Sequence, residues 1–165
     1  MRRCPRRPDV GSEGRRPSNK MRRVLLVPAN TERGGILPLS LGLACVAAAC
    51  RRAVHKVVLL NLMFEGDTET IIRECVEGFR PGPIGISLRN IDDQDMASPR
   101  FLPPPVRVVP AICRSISNAP AVLGGADYRI FPESALRYLG ADNGIRGEGE
   151  SVLPRRATSP VIAAV

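Results

Sequence analysis

The chain has 165 residues, 44% of them hydrophobic, which is long enough for one domain with its own core. Its net charge of +8 suggests nucleic-acid binding, but nine basic and two acidic side chains within residues 1–23 account for nearly all of it. The remainder is almost neutral, with no Trp and only two Tyr, so it offers neither a basic face nor stacking platforms. We therefore expect no nucleic-acid partner.

Residues 1–20 are rich in Arg, Pro, Gly and Ser, and they are predicted to form a disordered basic extension. The predicted domain covers residues 21–150, and residues 151–165, which show no clear period, are predicted to form an irregular tail. An uncharged run over residues 34–50 contains Pro38 and is too short for a membrane span, so no membrane partner is expected. The five cysteines form no Cys-x-x-Cys pair, which favours reduced thiols in a cytoplasmic protein over a zinc site or disulfides.

Strands and helices are predicted to alternate along the chain. Apolar runs rich in β-branched residues predict strands over 23–27, 56–61, the segment from Pro83 to Ser87, 121–125 and 142–145. Helices are predicted over about 39–52, 68–79, 105–115 and 132–138. The alternation indicates an α/β fold, a doubly wound five-stranded parallel sheet of flavodoxin-like or Rossmann-like order 2-1-3-4-5.

Two details of the helices can also be predicted. Asp67 or Thr68 is suited to cap the start of the second helix, and Pro110 is expected to kink or interrupt the third.

Glycine and polar clusters follow the first, third, fourth and fifth predicted strands, so they meet at the carboxyl edge of the sheet, where such folds bind ligands. The G-x-G-x-x-G turn of dinucleotide-binding proteins and the phosphate-binding G-x-x-x-x-G-K motif are both missing. A flavin stays open as a ligand. The single histidine, His55, precedes the second strand at the opposite edge, which favours a structural role over a catalytic one.

Several segments carry a family resemblance: Ile84–Asp92 (IGISLRNID), Leu123–Ala126 (LGGA), Gly140–Glu150 (GADNGIRGEGE), Val24–Glu32 (VLLVPANTE) and Leu39–Ala49 (LSLGLACVAAA). Together they resemble the amino-terminal cobalamin-binding domain of cobalamin-dependent radical S-adenosylmethionine enzymes. The resemblance implies cobalamin as cofactor, with the corrin ring across the carboxyl edge and the nucleotide tail reaching into the domain.

The resemblance also implies which residues contact the cofactor. Those near the nucleotide tail would be Ser87, Leu88, Gly124 and Gly125. Those lining the rim would be Asn30, Thr31, Glu32, Arg89, Asn90, Gly147, Glu148 and Gly149.

The sequence departs from related patterns at several points. The Asp-x-His-x-x-Gly loop, whose histidine ligates cobalt in other cobalamin proteins, is absent, so base-off binding without a histidine ligand is expected and no metal-ligating residue is predicted. Val54 stands where the family usually has a glycine.

The Cys-x-x-x-Cys-x-x-Cys motif that would hold an iron–sulfur cluster is absent as well, so no catalytic activity is expected from this chain alone. A separate radical S-adenosylmethionine domain or subunit would be its catalytic partner, with the chain a fragment, a truncated gene product or a subunit. The alternatives are a non-enzymatic or degenerate α/β interaction module and a small flavoprotein.

Overall fold

The computed structural model describes residues 20–29, 40–62, 67–89 and 104–157. Its centre is a parallel sheet of five strands in the order β2-β1-β3-β4-β5, which confirms the predicted fold class and strand order. The strands are β1 (Arg23–Pro28), β2 (Lys56–Leu59), β3 (Ile84–Ser87), β4 (Ala121–Gly124) and β5 (Asn143–Gly144). The second and fifth are two residues shorter than predicted.

Helices cover both faces of this sheet. The helices are α1 (Leu41–Arg52), α2 (Thr68–Phe79), α3 (Pro104–Ile116), α4 (Pro132–Leu139) and α5 (Gly149–Arg156). Apolar residues of α1 and α5 pack against one face of the sheet, while those of α2, α3 and α4 pack against the other. The sheet is therefore doubly wound.

Strand β1 shows why the sheet is buried on both sides. Val24 and Leu26 belong to the core cluster under α1 and α5, whereas Leu25 and Val27 belong to the cluster under the other helices. Successive side chains of a strand point to opposite faces, so a strand buried on both faces is apolar throughout. All four of these residues are fully buried.

Helix α2 begins and ends where the sequence predicts. The carboxylate of Asp67 accepts hydrogen bonds from the backbone N–H of Thr70 at 2.9 Å and from its hydroxyl at 2.7 Å. Both bonds lower the pKa of Asp67, and the bond from the Thr70 hydroxyl has the larger effect. Asp67 is thus the capping residue, and it satisfies one of the free N–H groups of the first turn.

The predicted interruption at Pro110 is wrong, because α3 runs unbroken from Pro104 to Ile116. A proline removes one helical hydrogen bond, here the bond to the Val106 carbonyl. Val106, Val109 and Ile112 are buried against the sheet, and this packing holds the helix across the missing bond.

The prediction of an irregular tail after Glu150 also fails as far as Arg156, because α5 covers this segment. Leu153 and Ala157 are buried in the cluster under α1. The Pro154 carbonyl accepts a hydrogen bond from His55 Nε2 at 2.8 Å, which fixes α5 to the chain entering β2. Residues 158–165 and residues 1–19 of the predicted extension lie outside the described residues. No helix in the described ranges is long and apolar enough to cross a membrane.

Candidate functional site: a cavity at the carboxyl edge of the sheet

A cavity of about 440 Å³ lies at the carboxyl edge of the sheet, between the sheet and the helices α1 and α5. The strand register explains why space is left there. Leu26, Gly85 and Val122 lie in one row across β1, β3 and β4, and Ser87 pairs with Gly124 in the next row towards the carboxyl edge. Alternation along each strand directs both rows to the face under α1 and α5. The outer row also includes Pro28 on β1, but the members that line the cavity are Ser87 and Gly124, and their small side chains leave that face of the sheet open.

The lining of the cavity changes from apolar to polar between its floor and its mouth. We define the floor as the buried lining residues, which are Leu26, Leu43, Gly85, Ile86, Val122, Leu123, Ile145 and Leu153. None of them has a polar side chain. We define the mouth as the exposed lining residues, which are Leu41, Gly42, Arg89, Ala126, Arg129, Gly147 and Glu150. The volume and the graded polarity are typical of a pocket for a small organic molecule or cofactor.

The glycines of the cavity serve two different purposes. Gly125 has φ +106°, and a Cβ atom there would overlap the Leu88 carbonyl oxygen, so the backbone itself requires glycine. At Gly124 a Cβ would meet only the Ile145 carbonyl oxygen at 4.0 Å, and at Gly42 and Gly147 it would meet nothing within 4 Å. The fold does not require glycine at these three positions. Their missing side chains leave a space that a ligand can occupy.

Two half-buried serines are the polar side chains between floor and mouth: Ser40, which precedes α1, and Ser87, which ends β3. Ser87 lies beside Gly124 in the strand register. It is half-buried, and its hydroxyl forms no hydrogen bond with the other described residues. The nearby backbone carbonyls are already engaged: Leu88 N–H donates to Gly124 O at 2.7 Å, Ile145 N–H to Leu123 O at 2.8 Å, and Ala29 N–H to Ser87 O at 3.0 Å. The Ser87 hydroxyl is therefore available to a ligand atom above the floor.

Charged side chains stand only at the mouth, where Arg89 follows β3, Arg129 ends a 3-10 turn (Asp127–Arg129) after β4, and Glu150 lies in the first turn of α5. Arg129 forms no ion pair with any residue in the described ranges. This arrangement suits a ligand with an apolar end inside and polar or anionic groups outside.

Six of the predicted site residues line this cavity: Ser87, Arg89, Gly124, Gly125, Gly147 and Gly149. Leu88 does not, because it is 2% exposed and packs in the core cluster on the other face of the sheet. Glu148 is exposed and is not part of the lining either, whereas Glu150 is. Asn30, Thr31, Glu32 and Asn90 lie outside the described residues.

Sequence reasoning missed Gly42 and Arg129. Gly42 shows no signal in the sequence other than being a small residue in a helix rich in small residues. Arg129 lies in a turn without periodicity, and only its position shortly after the glycine pair could have indicated it.

His55 lies at the amino edge of the sheet, just before β2, and is 4% exposed. Its Nδ1 accepts a hydrogen bond from the Arg22 N–H at 3.3 Å, and its Nε2 bonds to the Pro154 carbonyl. Both ring nitrogens are thus used within the protein, at the edge opposite to the cavity. Within the described ranges no group of three or more His, Cys, Asp or Glu side chains could hold a metal ion.

Fold and cavity together define an α/β ligand-binding protein with its site at the carboxyl edge of a doubly wound sheet. Comparison with known proteins identifies the family. The B12 binding domain model matches residues 30–157, and the chain belongs to this family. Cobalamin, the cofactor predicted from the resemblance, is the ligand for which the family is named.

Among curated proteins, tryptophan 2-C-methyltransferase of Streptomyces laurentii is 25% identical over 131 residues, which are 79% of this chain and 22% of that protein. A structure of the radical S-adenosylmethionine methyltransferase TsrM from Kitasatospora setae, with cobalamin and a 4Fe-4S cluster bound, has a TM-score of 0.77 at 28% identity. It covers 85% of this chain and 24% of TsrM. These similarities confirm the predicted resemblance to cobalamin-dependent radical S-adenosylmethionine enzymes.

A structure of the cobalamin-dependent S-adenosylmethionine radical enzyme OxsB, with aqua-cobalamin bound, has a TM-score of 0.62 at 19% identity. It covers 84% of this chain and 19% of OxsB, and it shows a common fold. The chain thus spans about a quarter or less of the length of each of these three relatives.

Proposed function

We propose that this chain binds cobalamin in the base-off form, with the nucleotide tail in the cavity and no protein histidine on the cobalt. The observation that carries the proposal is the set of glycines, Gly42, Gly124 and Gly147, that leave room beside an apolar floor although the fold does not need them. In the base-off form the tail base leaves the cobalt and needs a pocket of its own. The cavity offers such a pocket directly below a mouth that is open to solvent.

The chemistry of the lining fits the parts of this cofactor. The flat, apolar base suits the floor, and Ser87 can donate a hydrogen bond to its free ring nitrogen. The phosphodiester of the tail suits the mouth, where Arg89 and Arg129 contribute positive charge. The polar amides at the edge of the corrin ring would remain near solvent, beside Gly147 and Glu150.

The position of His55 supports binding without a histidine on cobalt. It is the single histidine of the sequence, it is buried at the amino edge, and both of its nitrogens have protein partners. Ligation of cobalt would require those bonds to break and the ring to leave the core.

When bound, cobalamin supplies a cobalt centre that can carry a methyl group or exchange electrons. We propose that a radical S-adenosylmethionine domain, on a longer chain or on a separate one, uses this centre. This proposal is supported by the kind of protein that TsrM and OxsB are, since both are radical S-adenosylmethionine enzymes about four times as long as this chain. TsrM is described with a 4Fe-4S cluster.

Electron paramagnetic resonance of bound cob(II)alamin tests the proposal. A nitrogen ligand on the lower face of the cobalt splits the signal, so we expect no nitrogen splitting in the full 165-residue chain or in His55→Gln. Splitting that disappears in His55→Gln would identify His55 as a ligand, and splitting that persists in both would indicate base-on binding. Either result would refute the proposed binding mode, and no uptake of cobalamin by the folded chain would refute the function.

A further inference from the structure

The floor of the cavity has no polar side chain, and this restricts the kind of base that it can accept. Its buried residues contribute only apolar side chains, and the carbonyls of Ser87, Leu123 and Gly124 are taken by backbone N–H groups of neighbouring segments. The polar side chains between the floor and the mouth are the hydroxyls of Ser87, which ends β3, and of Ser40, which precedes α1. Below the mouth, the described lining thus offers two side-chain hydroxyls and no other polar side chain to a base that enters it.

Corrinoids differ in the base of their nucleotide tail. The dimethylbenzimidazole of cobalamin has one free ring nitrogen and two methyl groups, whereas a purine such as adenine has several ring nitrogens and an exocyclic amine. The Ser87 hydroxyl alone can satisfy the first base, and the two serine hydroxyls together are fewer than the polar groups of the second. A purine in the same place would bury donors and acceptors without partners, and each such group weakens binding considerably.

From this match we propose that the cavity selects corrinoids with a benzimidazole-type base against those with a purine base. The inference rests on the proposed function, because it assumes that the tail occupies the cavity. The two methyl groups add apolar area that the floor can cover, so shape and polarity act in the same direction. The selecting surface is the floor around Val122 and Leu153, with Ser87 as the polar contact for the free ring nitrogen.

Calorimetric titration of the 165-residue chain with three corrinoids tests the inference. The ligands are hydroxocobalamin, the corresponding adenine-tailed corrinoid, and cobinamide, which has no nucleotide tail. We expect the adenine-tailed form to bind at least about tenfold more weakly than cobalamin, since one unpaired buried polar group already has an effect of that size. Cobinamide should also bind more weakly than cobalamin, because it places nothing on the floor.

A pair of variants locates the selection. Val122→Thr keeps the shape of the floor and adds a hydroxyl to it, so the preference for cobalamin over the adenine-tailed form should fall by severalfold. Val57→Thr is the matched control, because Val57 lies on β2 in the same core layer but does not line the cavity. It should leave the preference unchanged.

Two results would overturn the inference in distinguishable ways. If cobalamin binds but the adenine-tailed corrinoid binds equally well or better, the selection is wrong while the proposed function stands. If cobinamide binds as tightly as cobalamin, or if none of the three binds to the folded chain, the cavity does not hold the tail and the proposed function fails too. The preference of the unmodified chain decides the matter even if Val122→Thr does not fold.

Discussion

Ser87 and Gly124 are register partners on β3 and β4, side by side at the carboxyl edge of the sheet. Serine is the smallest residue that carries a hydroxyl donor, and glycine leaves its position open. Both residues lie on the face under α1 and α5. One residue further along, Gly125 turns the chain with φ +106°. Two adjacent glycines therefore have separate roles, since Gly124 leaves space and Gly125 allows the turn.

This separation predicts different stabilities for two alanine variants. Gly125→Ala should lower the free energy of unfolding by about 2–3 kcal/mol, because a Cβ there would overlap the Leu88 carbonyl oxygen in a backbone conformation that side chains disfavour. Gly124→Ala should change it by no more than about 0.5 kcal/mol, since its Cβ meets no close neighbour. Urea unfolding of both variants measures the difference. Equal losses would show that the two glycines are equivalent in the fold.

Val54 is a position where we expect a substitution to stabilise the fold. It has φ +62°, a left-handed conformation that is unfavourable for a β-branched residue, and its side chain is 57% exposed. Val54→Gly should raise the free energy of unfolding by about 1 kcal/mol, because the strain relieved exceeds the added chain entropy of glycine.

Arg80 provides the comparison for Val54. It has φ +47° at the end of α2 but is not β-branched, so Arg80→Gly should have a smaller effect than Val54→Gly. Thermal unfolding reports both changes. A loss of stability in Val54→Gly would contradict the assignment of strain to this position.

We expect the positive charge of Arg129 to strengthen cobalamin binding. Arg129→Ala should weaken the affinity by about three- to tenfold at low salt, and the loss should shrink as ionic strength rises. Arg137→Ala is the matched control, because Arg137 is exposed on α4 and does not line the cavity. Titrations at two salt concentrations measure both. A loss of the same size in both variants would remove the specific role of Arg129.

The cysteines are predicted to differ in reactivity. Burial raises the pKa of Cys50 and of Cys113 from 9.0 to about 11, so their thiolate fraction near pH 8 falls about a hundredfold. Cys45 is exposed. Alkylation with iodoacetamide, followed by peptide mass spectrometry, should label Cys45 well before the other two.

The same two thiols predict a pH dependence of stability. In the unfolded chain they ionise near pH 9, whereas in the folded chain they stay protonated to about pH 11. The unfolded state therefore binds fewer protons in this range, and stability falls as the pH rises above about 9. Replacement of Cys50 by Ala should reduce that dependence of stability on pH.

Both cysteine predictions depend on burial of the two thiols. In the alkylation experiment, rapid labelling of Cys50 or Cys113 at pH 8 would contradict that burial.

Local signals in the sequence were sufficient for much of the fold. Asp67 marks the start of α2 through its hydrogen bonds, and the continuous apolar run of β1 marks a strand buried on both faces. Helix α5 could not be predicted, because Pro154 interrupts its pattern and its stability comes from packing on α1 and from His55, which is 99 residues away in sequence.

The candidate site was predictable where it follows the strands. Ser87 and Gly124 lie at strand ends, so sequence order alone places them at the carboxyl edge. Gly42 and Arg129 depend on how α1 and the turn after β4 approach the cavity, which no short-range pattern encodes. The distinction between Gly124 and Gly125 likewise required backbone angles.

The central claim is that the nucleotide tail of cobalamin occupies the space beside Gly124. The most direct test is a titration of Gly124→Leu with hydroxocobalamin, with Gly78→Leu as control, since Gly78 is exposed on α2 and a Cβ there also meets nothing within 4 Å. We expect one-to-one binding by the unmodified chain and by Gly78→Leu, and at least about a hundredfold loss of affinity in a folded Gly124→Leu, because the side chain fills the space of the ligand. Unchanged affinity in Gly124→Leu would contradict the claim.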